Sequence, residues 1–111
     1  MNIVTLAECK DRLHIDFNDS DSDIEIMANS IESSLYFATG IDFNGTIDDK
    51  VKDLAKEYVL LKLYLDYYEK HTEIDNRRLT YIMKQLQLVA HLQWINVKTK
   101  EYNFIGKRVF K

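Results

Sequence analysis

The segment VKDLAKEYVLLKLYLDYYEK, residues 51–70, decides the fold of this chain. In its first half the apolar residues recur with helical spacing and share one side: Val51, Leu54, Ala55 and Tyr58. In residues 59–68, the apolar girdle, only Lys62 and Asp66 are charged, so apolar side chains surround nearly the whole circumference. The segment therefore predicts a long helix that is either central to a helical bundle or shared with another subunit.

The composition favours helices throughout. The 111 residues include no proline and three glycines, the two strongest helix breakers, and 46% of the residues are hydrophobic, enough for a core. A single cysteine, Cys9, excludes a disulfide framework and a cysteine-rich zinc site. No apolar run reaches the length of a membrane span, and the N-terminus lacks a secretory apolar region. The sequence predicts a soluble, unexported, all-α protein.

Two shorter helices are predicted before the long one. Thr5 and Glu8 form a capping box that begins a helix over residues 6–13. A second helix is expected to begin near Ser20 or Ser22 and to end at Gly40, since glycine adopts the left-handed conformation that closes a helix. Its apolar residues form one stripe: Ile24, Met27, Ala28, Ile31, Leu35 and Ala38.

The third helix, expected to be the longest, is predicted to be capped by Thr46 and to reach about Glu69. A fourth helix is predicted after a polar loop, with Asp75 as its cap. Its apolar stripe is formed by Leu79, Ile82, Met83, Leu86, Val89 and Ala90. Residues 1–93 are thus predicted to form a four-helix bundle-like domain with a long central helix.

The C-terminal arm, residues 94–111, differs in charge and composition from the rest. It holds five of the fifteen Lys and Arg but one of the eighteen Asp and Glu, which leaves residues 1–93 with a net charge of −7. An acidic body disfavours indiscriminate binding to nucleic acid. The arm is rich in β-prone residues and predicts an extended arm or hairpin that orders against a neighbour. Its candidate partner-binding residues are Trp94, Tyr102, Phe104 and Phe110.

Motifs for metal binding and catalysis are incomplete. Asp19, Asp21 and Asp23 open like a calcium loop, but Ile24 and Ser30 stand where that loop needs glycine and glutamate. Gly40 and Gly45 have the spacing of a phosphate-binding loop without its Lys-Ser/Thr pair. The three histidines, His14, His71 and His91, form no metal-binding pair in sequence. We therefore predict no metal, no cofactor and no catalytic residue, and a protein that is not an enzyme.

Five segments, taken in order, resemble the small head-tail connector proteins of tailed bacteriophages, the adaptors that join the portal to the rest of the neck. The segments are TLAECKDRLHID (5–16), DSDSDIEIM (19–27), ATGIDF (38–43), VKDLAKEYVLLKLYLDYYEK (51–70) and LTYIMKQLQ (79–87). The likeness covers about residues 3–90. In that family most of the matching positions determine the fold and imply no catalysis: Leu6, Glu8, Leu13, Ile15, Asp16, Ala38, Thr39, Gly40, Val51, Ala55 and Tyr58.

The resemblance implies a ring of identical subunits, usually twelve to match the portal, with DNA passing through the middle without sequence-specific binding. The implied partners are other copies of the chain, the phage portal protein and a stopper or tail completion protein, with no membrane. The implied location is the virion neck, after assembly in the bacterial host cytoplasm. The girdle would then contribute to the subunit interface as well as the core, and the arm would reach a neighbouring subunit, the portal or the next neck component.

The candidate interface residues in the girdle are Leu60, Leu63, Tyr64, Tyr67 and Tyr68. If the girdle is shared between subunits, replacing Leu60 and Leu63 by Asp should leave helicity intact and abolish ring formation. An acidic wall would keep transiting DNA from sticking to the channel. The candidates for that wall are Asp19, Asp21, Asp42, Asp48 and Asp49.

Two other classes of function stay open. A nucleic-acid-binding regulator requires a basic helix face, for which Arg77, Arg78 and Lys84 are the candidates. A small enzyme requires a pocket with converging titratable groups, which the sequence does not indicate.

Overall fold

A computed structural model of the chain describes residues 2–45 and 47–109, with side chains as far as Leu92. The helices are Leu6–Leu13 (α1), Asp21–Thr39 (α2), Asp49–Tyr68 (α3) and Glu73–Val109 (α4). The described residues include no strand, so the all-α prediction is confirmed. None of the helices in the described part combines the length and the apolar content that crossing a membrane requires.

The central element is α3, which packs against each of the other three helices. Val59, Leu60 and Leu63 join the main core with α1 and α2, whereas Leu61 and Leu65 pack with Leu79 of α4 in a second cluster. Because α3 has neighbours on both sides, a helix that is apolar around most of its circumference is covered by its own chain. Of the two alternatives for the girdle, the central position in the bundle is therefore the one observed.

The helices alternate in direction. The first half of α2, at Asp23, shares a surface depression with the last turn of α3, at Tyr67 and Glu69. The Arg78 guanidinium at the start of α4 pairs with Glu57 in the middle of α3, and Gln87 donates to the carbonyl oxygen of Ala38 at 3.3 Å. Both α2 and α4 therefore run antiparallel to α3 and parallel to each other.

Two predicted helix ends are confirmed by their hydrogen bonds. The Thr5 hydroxyl accepts from the backbone N–H of Glu8 at 3.1 Å, and the Glu8 carboxylate accepts from the N–H of Thr5 at 3.1 Å. Gly40 ends α2 with φ of +71°, and its N–H donates to the carbonyl oxygen of Tyr36 at 2.7 Å. The capping box and the left-handed glycine could be read from sequence because both depend on local chemistry alone.

The predicted caps of the last two helices are corrected. Asp48 caps α3, and its carboxylate accepts from the N–H of Lys50 at 2.8 Å; Thr46 lies outside the described residues. At the start of α4, the Thr72 hydroxyl accepts from the N–H of Asp75 at 3.1 Å and donates to its carboxylate at 2.8 Å. Thr72 is therefore the cap, and Asp75 is its reciprocal partner in the first turn.

The predicted extended arm or hairpin is not observed. The backbone continues as helix through Val109, which makes α4, with 37 residues, the longest helix instead of α3. β-Branched and aromatic residues cost at most about 0.7 kcal/mol each in a helix, and no proline interrupts residues 94–109. Helix propagation from the packed half of α4 therefore prevails over their strand preference. Phe110 and Lys111 lie outside the described residues.

Candidate assembly surfaces

The predicted interface residues of the girdle divide into a buried and a partly exposed group. Leu60 and Leu63 are buried in the core of the chain itself, so their side chains are not available to a second subunit. Tyr64 and Tyr67 are half-buried and Tyr68 is exposed. The ring centroid of Tyr68 lies 5.2 Å from that of Tyr64 and 5.0 Å from that of Tyr67. Among the apolar and aromatic side chains of the girdle, only these three tyrosines, the tyrosine cluster, reach the surface.

The tyrosine cluster is fixed at the end of the bundle by two contacts of Tyr68. Its hydroxyl donates to the carbonyl oxygen of Leu13 at the end of α1, and the Lys70 ammonium lies 5.9 Å from the centroid of its ring. The first contact ties α3 to α1, and the second is a cation–π interaction in the following turn.

The turn between α3 and α4 carries a charged network around Asp66. The Asp66 carboxylate is 3.3 Å from the Lys62 ammonium and 2.6 Å from Nε2 of His71. Nδ1 of His71 lies 2.9 Å from the side-chain oxygen of Asn76. Hydrogen bonding to Asn76, and then to Asp66, raises the pKa of His71, because two oxygen acceptors favour the ring with both nitrogens protonated.

A buried carboxylate that the sequence reading missed holds the N-terminal segment. Glu32, 9% exposed, accepts backbone N–H groups from Asn2 at 2.7 Å, Ile3 at 3.0 Å and Val4 at 3.3 Å. The available signal was its position: Glu32 lies four residues after Ala28 and three before Leu35, inside the apolar stripe of α2. A charged residue in such a stripe indicates a buried hydrogen-bonding role.

A cavity of about 590 Å³ lies beside Glu32 and the N-terminal segment that it holds. It is lined in part by Glu32, Tyr36, Phe37, Asp42 and Phe43. The two carboxylates are both engaged with backbone groups, since Asp42 accepts from the N–H of Asn44 at 2.9 Å. They hold the chain in shape at this cavity, and their arrangement offers no pair poised for acid–base chemistry.

An ion pair bridges α1 and α3 at the surface. The Glu8 carboxylate lies 2.8 Å from the Lys56 ammonium. The hydrogen bond between them lowers the pKa of Glu8 and raises that of Lys56. Cys9, next to Glu8, is fully buried, and desolvation raises the pKa of its thiol to about 11. This thiol is therefore an apolar core group at neutral pH.

The five predicted channel-facing acids lie in two groups. Asp19 and Asp21 lie at the N-terminal end of α2, whereas Asp42, Asp48 and Asp49 follow its C-terminal end. A helix of 19 residues separates its two ends by about 27 Å, so the acids form two groups and not one cluster, and their place in a channel wall stays a prediction. Asp21 also pairs with the Lys10 ammonium at 2.9 Å. In the described part of the chain, no group of three His, Cys, Asp or Glu side chains has the arrangement of a metal site.

The candidate partner-binding residues of the arm belong to the last part of α4. Trp94, Tyr102 and Phe104 lie in its helical backbone, although their side chains are outside the described part. Phe110 is outside the described residues altogether. Their role in binding a partner stays a prediction.

The described half of α4 exposes a surface that the sequence analysis did not single out. Four large apolar side chains, the α4 row, share one face and are each between 52% and 77% exposed: Ile74, Tyr81, Leu88 and Leu92. The first three are separated by seven residues, close to two helical turns, and Leu92 follows one turn after Leu88. The sequence signal for this surface was a second apolar stripe, on the face of α4 opposite its core-facing stripe.

A smaller exposed pair and an acidic depression lie on α2. Ile26 and Phe37, the α2 pair, are 64% and 82% exposed. The acidic depression, about 480 Å³, lies between α2 and the end of α3. It is lined by Asp23, Ile26, Met27, Asp66, Tyr67 and Glu69. It therefore combines apolar walls with three carboxylates, and one of the predicted interface tyrosines contributes to it.

A comparison with known proteins found no match. No family model matches the chain, and neither a curated protein nor a solved structure matches it significantly.

Proposed function

We propose that this chain is a structural subunit of the neck of a tailed bacteriophage, a head-tail connector that assembles into a homo-oligomeric ring, of twelve copies if it matches the portal. The ring joins the portal protein to a stopper or tail completion protein, and DNA passes through its channel. The subunit is made in the host cytoplasm and resides in the virion neck. The sequence resemblance over residues 3–90 and the four-helix architecture support this proposal.

The observation that carries the proposal is the α4 row. From Ile74 to Leu92 it extends for about 27 Å along one face of a helix. Four large exposed apolar side chains aligned on one helix face, with Arg77 and Lys84 between them, form a surface suited to contact with another protein. A protein whose core already covers α3 but whose α4 presents such a row has a surface for assembly.

Charge supports a role as a conduit. Residues 1–93 have a net charge of −7, and a predominantly acidic body repels the DNA backbone. The carboxylates beside the cavity at Glu32 are engaged with backbone N–H groups. Assembly, and not acid–base chemistry, is the function that these surfaces favour.

The test is the oligomeric state of the full chain. Size-exclusion chromatography with light scattering, from micromolar to millimolar concentrations, followed by negative-stain imaging, should reveal closed rings. The basic balance of α4, with seven Lys and Arg against three Asp and Glu, favours a nucleic-acid-binding regulator as the second candidate. A chain that stays monomeric or dimeric at every concentration contradicts the connector, and one that also shifts duplex DNA with steep salt dependence supports the regulator.

A further inference from the structure

Two segments of this chain complement each other in charge. Residues 13–49, which include all of α2, contain nine Asp and Glu and no Lys or Arg. In α4, by contrast, Lys and Arg outnumber Asp and Glu by seven to three. The segment that includes α2 is therefore negative in its charge balance and α4 is positive, and each of the two helices carries exposed apolar side chains.

The two helices also match in their apolar spacing. Tyr81 and Leu92 of the α4 row are eleven residues apart, and so are Ile26 and Phe37 of the α2 pair. Eleven residues span three helical turns, about 16 Å, so both pairs project on one face at the same separation. Seven residues after the first member of each pair, α4 has the bulky Leu88 and α2 has the small, exposed Ser33.

We propose that α4 of one copy packs in parallel against α2 of the next copy. Tyr81 then enters the acidic depression beside Ile26, Leu88 lies over Ser33, and Leu92 contacts Phe37. This contact rests on the proposed function, because it supplies the subunit interface of the ring.

The charges around the depression fit this register. Arg77 and Lys84 lie one turn before and one turn after Tyr81, on the same side of α4. Asp23 and Glu69 line the depression that receives Tyr81. Neither of these two acids has an ion-pair partner in the described part of the chain. In this register Arg77, whose guanidinium pairs with Glu73 on the same helix, comes next to the two uncompensated carboxylates, and Lys84 follows about two turns further along α4.

The parallel orientation agrees with ring symmetry. Within one chain α2 and α4 already run parallel, because both are antiparallel to α3. In a ring whose axis runs along the bundle, rotation leaves the direction of every helix unchanged, and neighbouring copies then present α4 and α2 to each other in parallel. The contact joins two different surfaces, and a contact of that type generates a ring when the rotation closes.

Charge reversal with rescue tests the contact, using the full chain and sedimentation equilibrium to measure its self-association. We expect Arg77→Glu with Lys84→Glu to weaken association about tenfold, because like charges then face each other. Asp23→Lys with Glu69→Lys should do the same. A chain carrying all four changes should associate within about threefold of the wild type. The matched control is Lys50→Glu with Lys52→Glu, which makes the same charge change on the exposed first turn of α3.

A cysteine pair tests the register. Ser33→Cys with Leu88→Cys should give covalent multimers on oxidation, whereas Ser33→Cys alone should not. Native Cys9 does not interfere, since it is fully buried.

The outcomes separate this contact from the proposed function. If the wild type forms rings and the charge-reversed variants associate as the Lys50 and Lys52 control does, the α4–α2 contact is wrong and the connector proposal is unaffected. Dimers alone, with loss and rescue that follow the charges, support the contact and contradict the ring. A wild-type chain that stays monomeric up to millimolar concentration overturns both.

Discussion

Glu32 shows how one carboxylate fixes a chain terminus. Its two oxygens accept three consecutive backbone N–H groups, those of residues 2–4. In this position Glu32→Gln replaces one acceptor oxygen by an amide that opposes an N–H group. We expect the free energy of unfolding to fall by about 1.5–3 kcal/mol, the scale of hydrogen bonds to charged groups. Urea denaturation followed by circular dichroism measures the change.

The matched control for this prediction is Glu25→Gln on the same helix. Glu25 is exposed and makes no ion pair in the described part of the chain, so its replacement should change stability by less than about 0.5 kcal/mol. Equal urea midpoints for the two variants would show that the Glu32 hydrogen bonds contribute nothing to stability.

His71 gives the α3–α4 turn a defined pH dependence. Its pKa is raised in the folded chain, first by Asn76 and then by Asp66. The stabilisation it provides is therefore complete below the unfolded-state pKa and is lost as the pH rises through the folded-state pKa. The difference in free energy of unfolding between the wild type and His71→Gln should therefore shrink as the pH rises from the unfolded-state pKa through the folded-state pKa. An NMR titration of the His71 ring should also give a lower pKa in Asn76→Ala, and an unchanged pKa contradicts the assignment.

At the scale of the element, α3 and α4 expose their leucines differently. Leu63 is fully buried, whereas Leu88 is 58% exposed. We expect Leu63→Ala to cost about 2–5 kcal/mol of folding free energy and Leu88→Ala less than about 1 kcal/mol, as measured by urea denaturation. Because Leu60 and Leu63 are both buried, replacing either of them by Asp should unfold the monomer and abolish its helicity. A folded Leu63→Asp monomer would contradict this placement.

A deletion tests whether the outer part of α4 is separable from the core. Residues 94–111 differ in charge and composition from the rest of the chain, and we predict that deleting residues 96–111 leaves the urea midpoint nearly unchanged. Circular dichroism should register the loss of the helical residues 96–109. Docking to the portal or a neighbouring subunit should weaken, because the deletion removes most of the basic, aromatic arm. Binding of unchanged affinity by the truncated chain would contradict a role for the arm.

Local features were predictable from sequence, whereas those that depend on tertiary neighbours were not. The capping box at Thr5, the left-handed Gly40 and the apolar circumference of α3 each follow from residues close in sequence. What covers Leu60 and Leu63 depends on how α1, α2 and α4 surround α3, which periodicity does not specify. The end of α4 was missed because strand preference depends strongly on context. No sheet is present in the described residues to satisfy that preference.

At the scale of the whole molecule, the separation of charge makes self-association sensitive to salt. The charges of the proposed contact, Asp23 and Glu69 on one side and Arg77 and Lys84 on the other, lie on exposed surfaces. Attraction between such charges falls off over a Debye length of about 10 Å at 0.1 M salt and about 3 Å at 1 M. We expect association to weaken steadily between these two concentrations, while the apolar contacts of Tyr81 and Leu88 retain part of it. Sedimentation equilibrium at several salt concentrations gives the slope.

The Arg77→Glu, Lys84→Glu variant identifies the origin of that slope. Its α4 no longer attracts the acidic depression, so added salt should relieve repulsion and strengthen its association where salt weakens that of the wild type. The reversal of sign is specific to facing charges, because salt acts on apolar burial alike in both chains. Parallel salt dependence in the two proteins would place the interface away from these cations.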